Sequence, residues 1–325
     1  MNSVSLNLVS LATKRVAVSG GAGFIGSHTV DRLLAAGVQV LVLDDLTHAS
    51  PEPPATQILN TDCGSEEAAE ALAGFRPDTV LHLASKGGVQ VAARNPGAHV
   101  RASLASSVAF YDAAIRAGAR RIVTASSGGT IYGDAKKLPA RETFPAAPLS
   151  AYGAAKRSEE IYLAALGRRH GVSTLALRYG NVYGPRQDGT GEAGVVAITC
   201  TRLLSGNAPR VFGDGLQTRD FVFVGDVAGA NVAALGSRRS GELNVGTGRE
   251  TSVADLVGIL VSGSGREAAI EMAAAKEFEV RRVCLDPGRA RIWLDWRPHV
   301  DIREGLATTW AWFAAQPEEI LRRIR

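Results

Sequence analysis

The sequence is poor in cysteine, methionine and aromatic residues, and it has no long hydrophobic run. Its 325 residues include three cysteines, Cys63, Cys200 and Cys284, which stand far apart without a CxxC pair. This spacing argues against a zinc site and against a disulfide framework, and reduced thiols are typical of a cytoplasmic protein. No apolar stretch approaches the ~20 residues of a transmembrane helix, and the opening segment lacks the charge order of a secretory signal. We expect a cytoplasmic protein with no metal and no membrane partner.

The charge of the chain is close to balanced. It has 36 lysines and arginines against 32 aspartates and glutamates, which gives a formal net charge of +4. The basic residues are scattered and do not alternate with aromatic residues as they do on nucleic-acid-binding surfaces. We therefore expect no nucleic-acid partner, whereas a small positive excess is compatible with an anionic small-molecule substrate.

Short β-branched segments alternate with longer helical ones in the first half of the chain. RVAVS, QVLVLD, TVLHLA, RIVTAS and STLALRY have the composition of buried strands, and the helical segments between them often end in glycine. This alternation predicts an α/β fold with a doubly wound parallel sheet. We expect a Rossmann domain over residues 1–180, to which part of 220–250 returns, and a smaller mixed α/β substrate domain over 181–325.

A glycine-rich turn follows the first predicted strand. Gly20, Gly23 and Gly26 form a GxxGxxG pattern, and Phe24 and Ile25 within it open the next helix. The glycines permit a tight turn and a close approach of a pyrophosphate, whose charge then faces a helix N-terminus. A glycine triplet alone is a weak signal, but its position between a strand and a helix predicts a dinucleotide-binding site.

Carboxylates after the second predicted strand bear on which dinucleotide binds. This strand ends in Asp44 and Asp45, and a carboxylate there can accept hydrogen bonds from the adenosine ribose and would repel a 2′-phosphate. We therefore expect NAD as the cofactor, with Asp44 as the ribose ligand. The alternative is that both aspartates are only turn residues. Asp62, further along the chain, could reach the adenine amino group.

A tyrosine and a lysine four residues apart, Tyr152 and Lys156, fall on one face of a predicted helix. Free tyrosine has a pKa of about 10, which is too high for an efficient base near neutral pH. A nearby ammonium and the positive nicotinamide favour the phenolate and lower that pKa. Tyr152 is therefore the candidate base that takes a hydroxyl proton while hydride leaves the same carbon. The alternative, two side chains that merely face solvent, is disfavoured by their place after the fifth strand.

Seven motifs follow one another in order: GGAGFIGS, HLAS, SSGGTIYGD, YGAAK, LRYGNVYGPRQ, GDGLQTRDFVFVGD and NVGTG. Together they resemble the extended short-chain dehydrogenase/reductase family, and within it the UDP-glucose 4-epimerase branch, over residues 15–316. The resemblance implies NAD-dependent 4-epimerisation of a UDP-hexose through a transient 4-keto intermediate. It also implies a homodimer formed by the helices at 98–118 and 152–170. Further cofactor contacts are implied after the fourth strand, at Leu83, Ala84 and, near the nicotinamide ribose, Lys86.

The family places a serine or threonine near the fifth strand, where it hydrogen-bonds the reacting oxygen, and here the chain departs from the pattern. The usual position is occupied by Gly128, so Ser127 is the candidate catalytic hydroxyl, with Ser126 and Thr130 as alternatives. Sugar 4,6-dehydratases of the family carry an Asp-Glu pair in this stretch, and nucleotide-uronate decarboxylases carry a glutamate. Gly128, Gly129 and Thr130 supply neither acid, which favours epimerisation.

The resemblance also implies residues that bind the nucleotide sugar. Asn181 matches a substrate-contacting asparagine, and Arg219 matches an arginine whose guanidinium pairs with the diphosphate. Lys276 stands where the family has a second phosphate-binding arginine. Arg281 or Arg282 could share that role, or they could simply be exposed basic residues.

Several alternatives for substrate and reaction stay open. Val283 falls where the family faces the C2 substituent of the hexose, and a small residue there leaves room for an N-acetyl group. A nucleotide-sugar 4-ketoreductase or dehydrogenase would use the same Tyr152–Lys156 pair with net turnover of cofactor. Asp188, which could meet a substrate carboxylate, argues against a uronate 4-epimerase. A non-catalytic NAD-sensing protein would have no use for the tyrosine–lysine pair.

Overall fold

A parallel sheet organises the part of the chain that the computed structural model describes, residues 14–189, 194–275 and 280–317. The strands are β1 (Arg15–Ser19), β2 (Gln39–Asp44), β3 (Ile58–Asn60), β4 (Thr79–His82), β5 (Arg121–Ser127), β6 (Ser173–Tyr179), β7 (Asn181–Tyr183), β8 (Arg210–Phe212), β9 (Thr218–Arg219), β10 (Phe221–Phe223), β11 (Gly241–Val245), β12 (Thr251–Ser252) and β13 (Glu271–Ala273). The helices are α1 (Phe24–Ala35), α2 (Glu66–Phe75), α3 (Val89–Arg94), α4 (Pro96–His99), a π-helical turn (Val100–Ala105), α5 (Ser106–Arg116), α6 (Gly128–Ile131), α7 (Ala151–His170), α8 (Val195–Leu204), α9 (Val224–Gly236), α10 (Val253–Gly263), α11 (Gly288–Leu294) and α12 (Ile302–Ala314).

The main sheet reverses direction at its centre. Within the described ranges it has seven parallel strands in the order β11-β6-β5-β4-β1-β2-β3. From β1 the chain moves outward to β2 and β3, then returns to β4 on the other side of β1 and continues outward. In open α/β sheets such a switch point opens a crevice at the carboxyl ends of the strands, where ligands bind. The doubly wound parallel sheet predicted from the sequence is confirmed.

Helices cover both faces of this sheet, which explains why its strands are nearly continuous apolar segments. On one face, Val18 packs in a buried core with Leu33 of α1 and Val227 of α9. On the other face, Leu72 of α2 and Phe110 of α5 are buried against the sheet. Helix α9 and strand β11 come after β6 and β7 in the chain, but they belong to the main sheet and its helical cover. Helix α9 packs on α1, and β11 pairs with β6.

A smaller region is built from the segments that follow β6. Its short strands pair as β7 with β10, β8 with β13 and β9 with β12. Helices α8, α10 and α12 enclose a second core that contains Cys200, Leu260 and Phe313. Nowhere in the described part of the chain is a helix both long and apolar enough to cross a membrane.

A buried aspartate, Asp220, fixes the loops between the two regions. Its carboxylate accepts hydrogen bonds from the backbone N–H groups of Thr247 (2.7 Å) and Leu285 (3.0 Å). Its carbonyl oxygen accepts one from the N–H of Asn181 at 2.7 Å. Because Arg219 directly precedes it in the chain, Asp220 anchors the backbone of both predicted substrate-contacting residues.

Candidate active site

A cavity of about 720 Å³ lies at the carboxyl ends of the strands where the sheet reverses direction. Its wall includes the loops after β1, β2, β3, β4 and β7, the end of β5 and the start of α7. It includes every residue predicted to contact the cofactor: Gly20, Gly23, Phe24, Ile25, Gly26, Asp44, Asp62, Leu83, Ala84, Lys86, Tyr152 and Lys156. The fold thus brings the glycine turn and the tyrosine–lysine pair to one cleft.

The glycine turn has no room for side chains. A Cβ on Gly20, which has a φ of +71°, would lie 2.6 Å from the backbone nitrogen of Ala84, and one on Gly26 would lie 2.1 Å from the Gly20 carbonyl oxygen. Gly23 caps α1, and this cap provides no side-chain hydrogen bond to the first turn of the helix. The first N–H groups of α1 therefore remain available to an anion. This cradle fits the pyrophosphate of a dinucleotide.

Asp44 is held by the turn that it faces. Its Oδ2 accepts a hydrogen bond from the Ala22 N–H, and its Oδ1 accepts one from the Leu46 N–H, both at 2.9 Å. A carboxylate has about four acceptor positions, so two remain for the hydroxyls of a ribose. Its buried charge at this end of the cavity also opposes a 2′-phosphate, which supports the choice of NAD.

Lys86 bridges two carboxylates of the cavity wall. Its ammonium contacts Asp45 and lies 3.0 Å from Asp62 Oδ2. Although burial favours the neutral acid, hydrogen bonds from Lys86 and Thr47 lower the pKa of Asp45 to about 2. The two carboxylates draw the lysine to the loops after β2 and β3, so its expected contact with the nicotinamide ribose stays a prediction.

Tyr152 and Lys156 sit on the first turns of α7. The N-cap of the helix is Ser150, whose Oγ accepts a hydrogen bond from the Gly153 N–H at 3.1 Å. This cap fixes the start of the helix, and with it the position of the tyrosine in the first turn. The Tyr152 ring lies edge-on to the His99 ring, with centroids 6.1 Å apart. Four residues of helix bring the tyrosine and the lysine to one face, as the sequence spacing predicts.

The environment of the pair decides how readily the phenol ionises. Burial raises the pKa of Tyr152, the Lys156 ammonium counteracts this, and the carboxylate of Glu159 adds to it. Although burial opposes the cation, the charges of Glu159 and Tyr152 keep the pKa of Lys156 above its ordinary value. Lys156 is therefore an ammonium at neutral pH, and the phenol needs a further positive charge to ionise. A nicotinamide cation would supply that charge.

His82 supports the floor of the cleft. Its Nδ1 lies 2.6 Å from the Ser19 Oγ and its Nε2 lies 2.8 Å from the Ser107 Oγ. Burial, assisted by the positive charge of Lys156, lowers its pKa to about 3, so the imidazole is neutral. A neutral, doubly hydrogen-bonded histidine is a packing element and not a proton donor.

Ser127, the last residue of β5, and Asn181, the first residue of β7, lie close together. A Cβ built on Gly129 would lie 3.9 Å from the Ser127 Oγ and 3.5 Å from the Asn181 Oδ1, so both side chains face this glycine. Steric crowding explains why position 128 is a glycine. A Cβ on Gly128 would lie 2.5 Å from Cδ1 of the fully buried Leu285. The hydroxyl role therefore falls to a neighbour, and Ser127 stays the prediction.

The two alternative hydroxyls are less suited to that role. Ser126 lines the cavity, but its Oγ is buried and donates a hydrogen bond to Glu160 at 2.7 Å. The Thr130 Oγ1 is buried and finds no partner among the described residues. Ser127 does not belong to the cavity wall that the described residues form. A bound substrate would therefore have to place its reacting oxygen next to Ser127.

The predicted phosphate-binding cations have different surroundings. Arg219 is half-buried in β9 and donates a hydrogen bond to the Thr218 carbonyl oxygen at 2.8 Å. Arg281 forms a bidentate pair with Asp214, at 2.8 and 2.6 Å. Arg282 pairs with Glu250 in the same way. Both ion pairs agree with the alternative that these arginines are exposed basic residues with a structural role. Val283 follows them and is 5% exposed. One further predicted residue, Lys276, lies outside the described residues.

Two features of the cleft escape sequence reasoning. Arg186, with a φ of +69°, lines the cavity and pairs with Asp31 of α1 at 2.6 Å and with Glu52 at 3.3 Å. These ion pairs join the loop after β7 to the dinucleotide side of the cleft. Glu159 lies 3.0 Å from Lys156, and here the i, i+3 spacing on one helix was an available signal.

Comparison with known proteins agrees with this geometry. The model of the NAD dependent epimerase/dehydratase family matches residues 16–246. A UDP-glucose 4-epimerase of Mycolicibacterium smegmatis is 39% identical over 307 residues, which cover 92% of this chain and 98% of that protein. The crystal structure of the Thermotoga maritima UDP-glucose 4-epimerase with UDP-glucose has a TM-score of 0.89 and 38% identity, covering 92% of this chain and 98% of that one. The Thermus thermophilus UDP-glucose 4-epimerase in complex with NAD has a TM-score of 0.88 and 37% identity, covering 93% and 100%.

Relatives with a second activity are also similar to this chain. A dTDP-glucose 4,6-dehydratase of an Actinoplanes species is 32% identical over 319 residues, which cover 93% of this chain and 98% of that protein. Overall similarity therefore does not separate epimerases from dehydratases, and the residues of the site have to decide.

Proposed function

The chain belongs to the NAD dependent epimerase/dehydratase family, and we propose that it catalyses the NAD-dependent 4-epimerisation of a UDP-hexose through a transient 4-keto intermediate. The observation that carries this proposal is that the glycine turn, Asp44, Tyr152 and Lys156 line one and the same cavity. A cofactor bound along it would reach from the ribose-binding carboxylate to the base. NAD, when bound, accepts a hydride from C4 of the sugar and later returns it.

Residues of the chain transfer the proton of the sugar 4-hydroxyl and stabilise the charge that this transfer creates. Tyr152 takes the proton of the 4-hydroxyl as the carbonyl forms, and it gives the proton back when the alcohol is restored. Lys156 stabilises the phenolate by its charge, since it lies one helical turn away and stays protonated. Ser127 donates a hydrogen bond to the reacting oxygen, which keeps that oxygen near the base.

The nucleotide diphosphate of the substrate is bound tightly, whereas the hexose is bound by few contacts. Arg219 holds the diphosphate, where a guanidinium matches two phosphate oxygens, and Asn181 orients the sugar end. Epimerisation requires that the 4-keto sugar present either face, so the hexose has to turn while the nucleotide stays bound. A site with strong phosphate contacts and few sugar contacts suits that requirement.

The residues after β5 support epimerisation over dehydration. Loss of water across C5 and C6 needs an acid and a base besides the tyrosine. Gly128, Gly129 and Thr130 occupy the stretch in which the family's dehydratases carry that pair, and none of them can transfer a proton as a carboxylic acid does. The Leu285 side chain fills the space beside Gly128, so a longer residue there would have to displace this buried leucine.

Proton NMR of the purified protein tests the proposed reaction. The protein is mixed with UDP-glucose, UDP-galactose or their N-acetyl and uronate analogues, and no cofactor is added. We expect interconversion of the C4 epimers with NAD that copurifies with the protein. In a parallel reaction with added NAD, stoichiometric formation of NADH and a 4-keto sugar would instead indicate a 4-ketoreductase or dehydrogenase running in its oxidising direction, and formation of a 4-keto-6-deoxy sugar would indicate a dehydratase.

The residue at position 283 is proposed to set which hexose is accepted. Val283 is small enough to leave room for an N-acetyl group at C2. Replacing Val283 with tyrosine is expected to lower kcat/KM for the N-acetylhexosamine about 100-fold and to change that for the plain hexose less than about threefold, since only the larger substituent meets the added ring. Competition between UDP-glucose and its N-acetyl analogue, followed by NMR, measures the ratio. A parallel loss for both substrates would rule out this role.

We also propose that the protein is a cytoplasmic homodimer. Apolar side chains are exposed on neighbouring helices, which favours burial against a second copy. Within the helices expected to form the interface, they are Val100, Ile161 and Tyr162. The cysteines of the described residues are free and buried, which suits a reducing compartment. Sedimentation velocity at micromolar concentration tests the dimer, and a purely monomeric profile would exclude it.

A further inference from the structure

A buried carboxylate, Glu159, lies against the ammonium of the catalytic lysine. Its Oε2 is 3.0 Å from Lys156 Nζ, and the two side chains are 1% and 5% exposed. Its Oε1 is also buried and has no hydrogen-bond partner among the described residues. Burying a carboxylate with one oxygen unsatisfied costs free energy, so this placement is poor as a purely structural device.

The other titratable groups around this pair do not replace its charge. In the described part of the chain, the groups that interact with the pair or with its immediate neighbours include Cys63, Asp62, His82, His99, Tyr111 and Glu160. Burial keeps His82 neutral, raises the pKa of the Cys63 thiol to about 11 and raises that of Tyr111 well above its usual value. Asp62 and Glu160 already form ion pairs, with Lys86 and Arg178. His99 contacts the Tyr152 ring.

The charges next to Tyr152 therefore cancel before the phenol ionises. Burial raises the pKa of Glu159, and the Lys156 ammonium 3.0 Å away counteracts that rise and favours the carboxylate. In this ion pair Lys156 contributes +1 and Glu159 contributes −1, so their sum is zero. A phenolate at Tyr152 would make the buried group negative, which is unfavourable in a low-dielectric interior. The positive nicotinamide restores neutrality. With NAD bound, loss of a hydride from the sugar alcohol to the ring and of a proton to the phenolate would leave both the ring and Tyr152 neutral, and the total charge would stay zero.

We propose that Glu159 is a positioning residue that holds Lys156 and offsets its charge, so that Tyr152 becomes a base only beside the oxidised cofactor. This inference rests on the proposed function for its purpose, although the ionisation of Tyr152 can be measured without substrate. Lys156 lies between Glu159 and Tyr152 in the helix, so the carboxylate acts on the tyrosine through the lysine. Without it, the full lysine charge would favour phenolate.

Replacing Glu159 with glutamine tests the proposal in a pH profile. Activity is lost on the acid side as the base takes up a proton, so the acid limb of kcat/KM reports the pKa of Tyr152. Removing the negative charge stabilises the phenolate and lowers that pKa. We expect the acid limb of the E159Q variant to move about one pH unit toward lower pH. Glu159→Asp keeps the charge and should leave the limb close to its original position.

A spectroscopic titration gives the same quantity without turnover. The ultraviolet absorbance of tyrosinate is followed with pH in the NAD-loaded protein, and the Y152F variant supplies the blank. We expect the tyrosine that is missing from the blank to ionise about one unit lower in the Glu159→Gln variant. This measurement decides the inference even if no UDP-sugar is epimerised, so failure of the proposed function is recognised separately.

Glu160 provides the matched control. It is the adjacent buried carboxylate, but it bonds to Arg178 at 2.7 Å and to Ser126 at 2.7 Å and makes no ion pair with Lys156 among the described contacts. Glu160→Gln is expected to lower the melting temperature and to leave the Tyr152 titration in place. If Glu159→Gln also lowers only the melting temperature, with both titrations unmoved, Glu159 is structural and the proposal is wrong.

Discussion

Replacing Tyr152 with phenylalanine is expected to lower kcat about 10³-fold while the protein keeps its NAD and its fold. We expect the phenol oxygen to exchange a proton with the substrate alcohol, and general base catalysis contributes about 10² to 10⁴ to a rate. The ring stays in place against His99, and Lys156 keeps its partner Glu159. The loss should therefore appear in kcat and kcat/KM alike. Initial rates with UDP-glucose and UDP-galactose measure it.

A second tyrosine on the same helix gives the control. Tyr162 is 49% exposed and lies away from the cavity wall. Tyr162→Phe should retain full activity, and both variants should show the NAD content and melting temperature of the parent protein. A Tyr152→Phe protein that keeps more than roughly a tenth of the activity would be incompatible with a tyrosine base.

Adding one methyl group at Gly26 is expected to abolish NAD binding. The new Cβ would lie 2.1 Å from the carbonyl oxygen of Gly20 and 2.7 Å from the Cα of Gly21. Both are backbone atoms, which cannot rotate away as a side chain could, so α1 and the turn have to separate. Overpacking of this kind costs about 3 kcal/mol or more, and the displaced helix N-terminus no longer meets the pyrophosphate. Absorbance of the purified protein and its melting temperature report both effects.

Gly74 provides a control in another helix. It lies in α2, and a Cβ built on it has no neighbour within 4 Å. Gly74→Ala should keep NAD and leave the melting temperature unchanged or slightly raised, since alanine is the better helix former by about 1 kcal/mol. Retention of stoichiometric NAD by Gly26→Ala would contradict the placement of the cofactor on this turn.

The dinucleotide end of the cleft can be predicted from the sequence because the residues that define it are close together in the chain. A strand, a glycine turn and a helix follow one another without interruption, and the order of strands brings the Asp44 carboxylate beside the same turn. The tyrosine–lysine pair is equally local, since four residues of helix fix its geometry. These elements need no knowledge of distant contacts, and the structure brings them to one cavity.

The contacts that sequence reasoning misses join residues far apart in the chain. Lys86 pairs with Asp62, which lies 24 positions earlier, and Leu285 fills the space above Gly128. Both contacts depend on how loops that follow different strands pack against each other. The hydrophobic periodicity of the sequence carries no information about that packing. Glu159 is a different case, because its spacing from Lys156 was visible but its burial was not. Burial turns an ordinary helical ion pair into a feature that affects the base.

The fate of the hydrogen on C4 tests the proposed reaction most directly. The purified protein, without added cofactor, is given UDP-glucose that carries deuterium at C4, and the products are analysed by NMR and mass spectrometry. Removal and return of the same hydride predicts UDP-galactose with the deuterium still on C4. Deuterium found in the solvent or at C6 of a deoxy sugar would contradict an oxidation and reduction confined to that carbon.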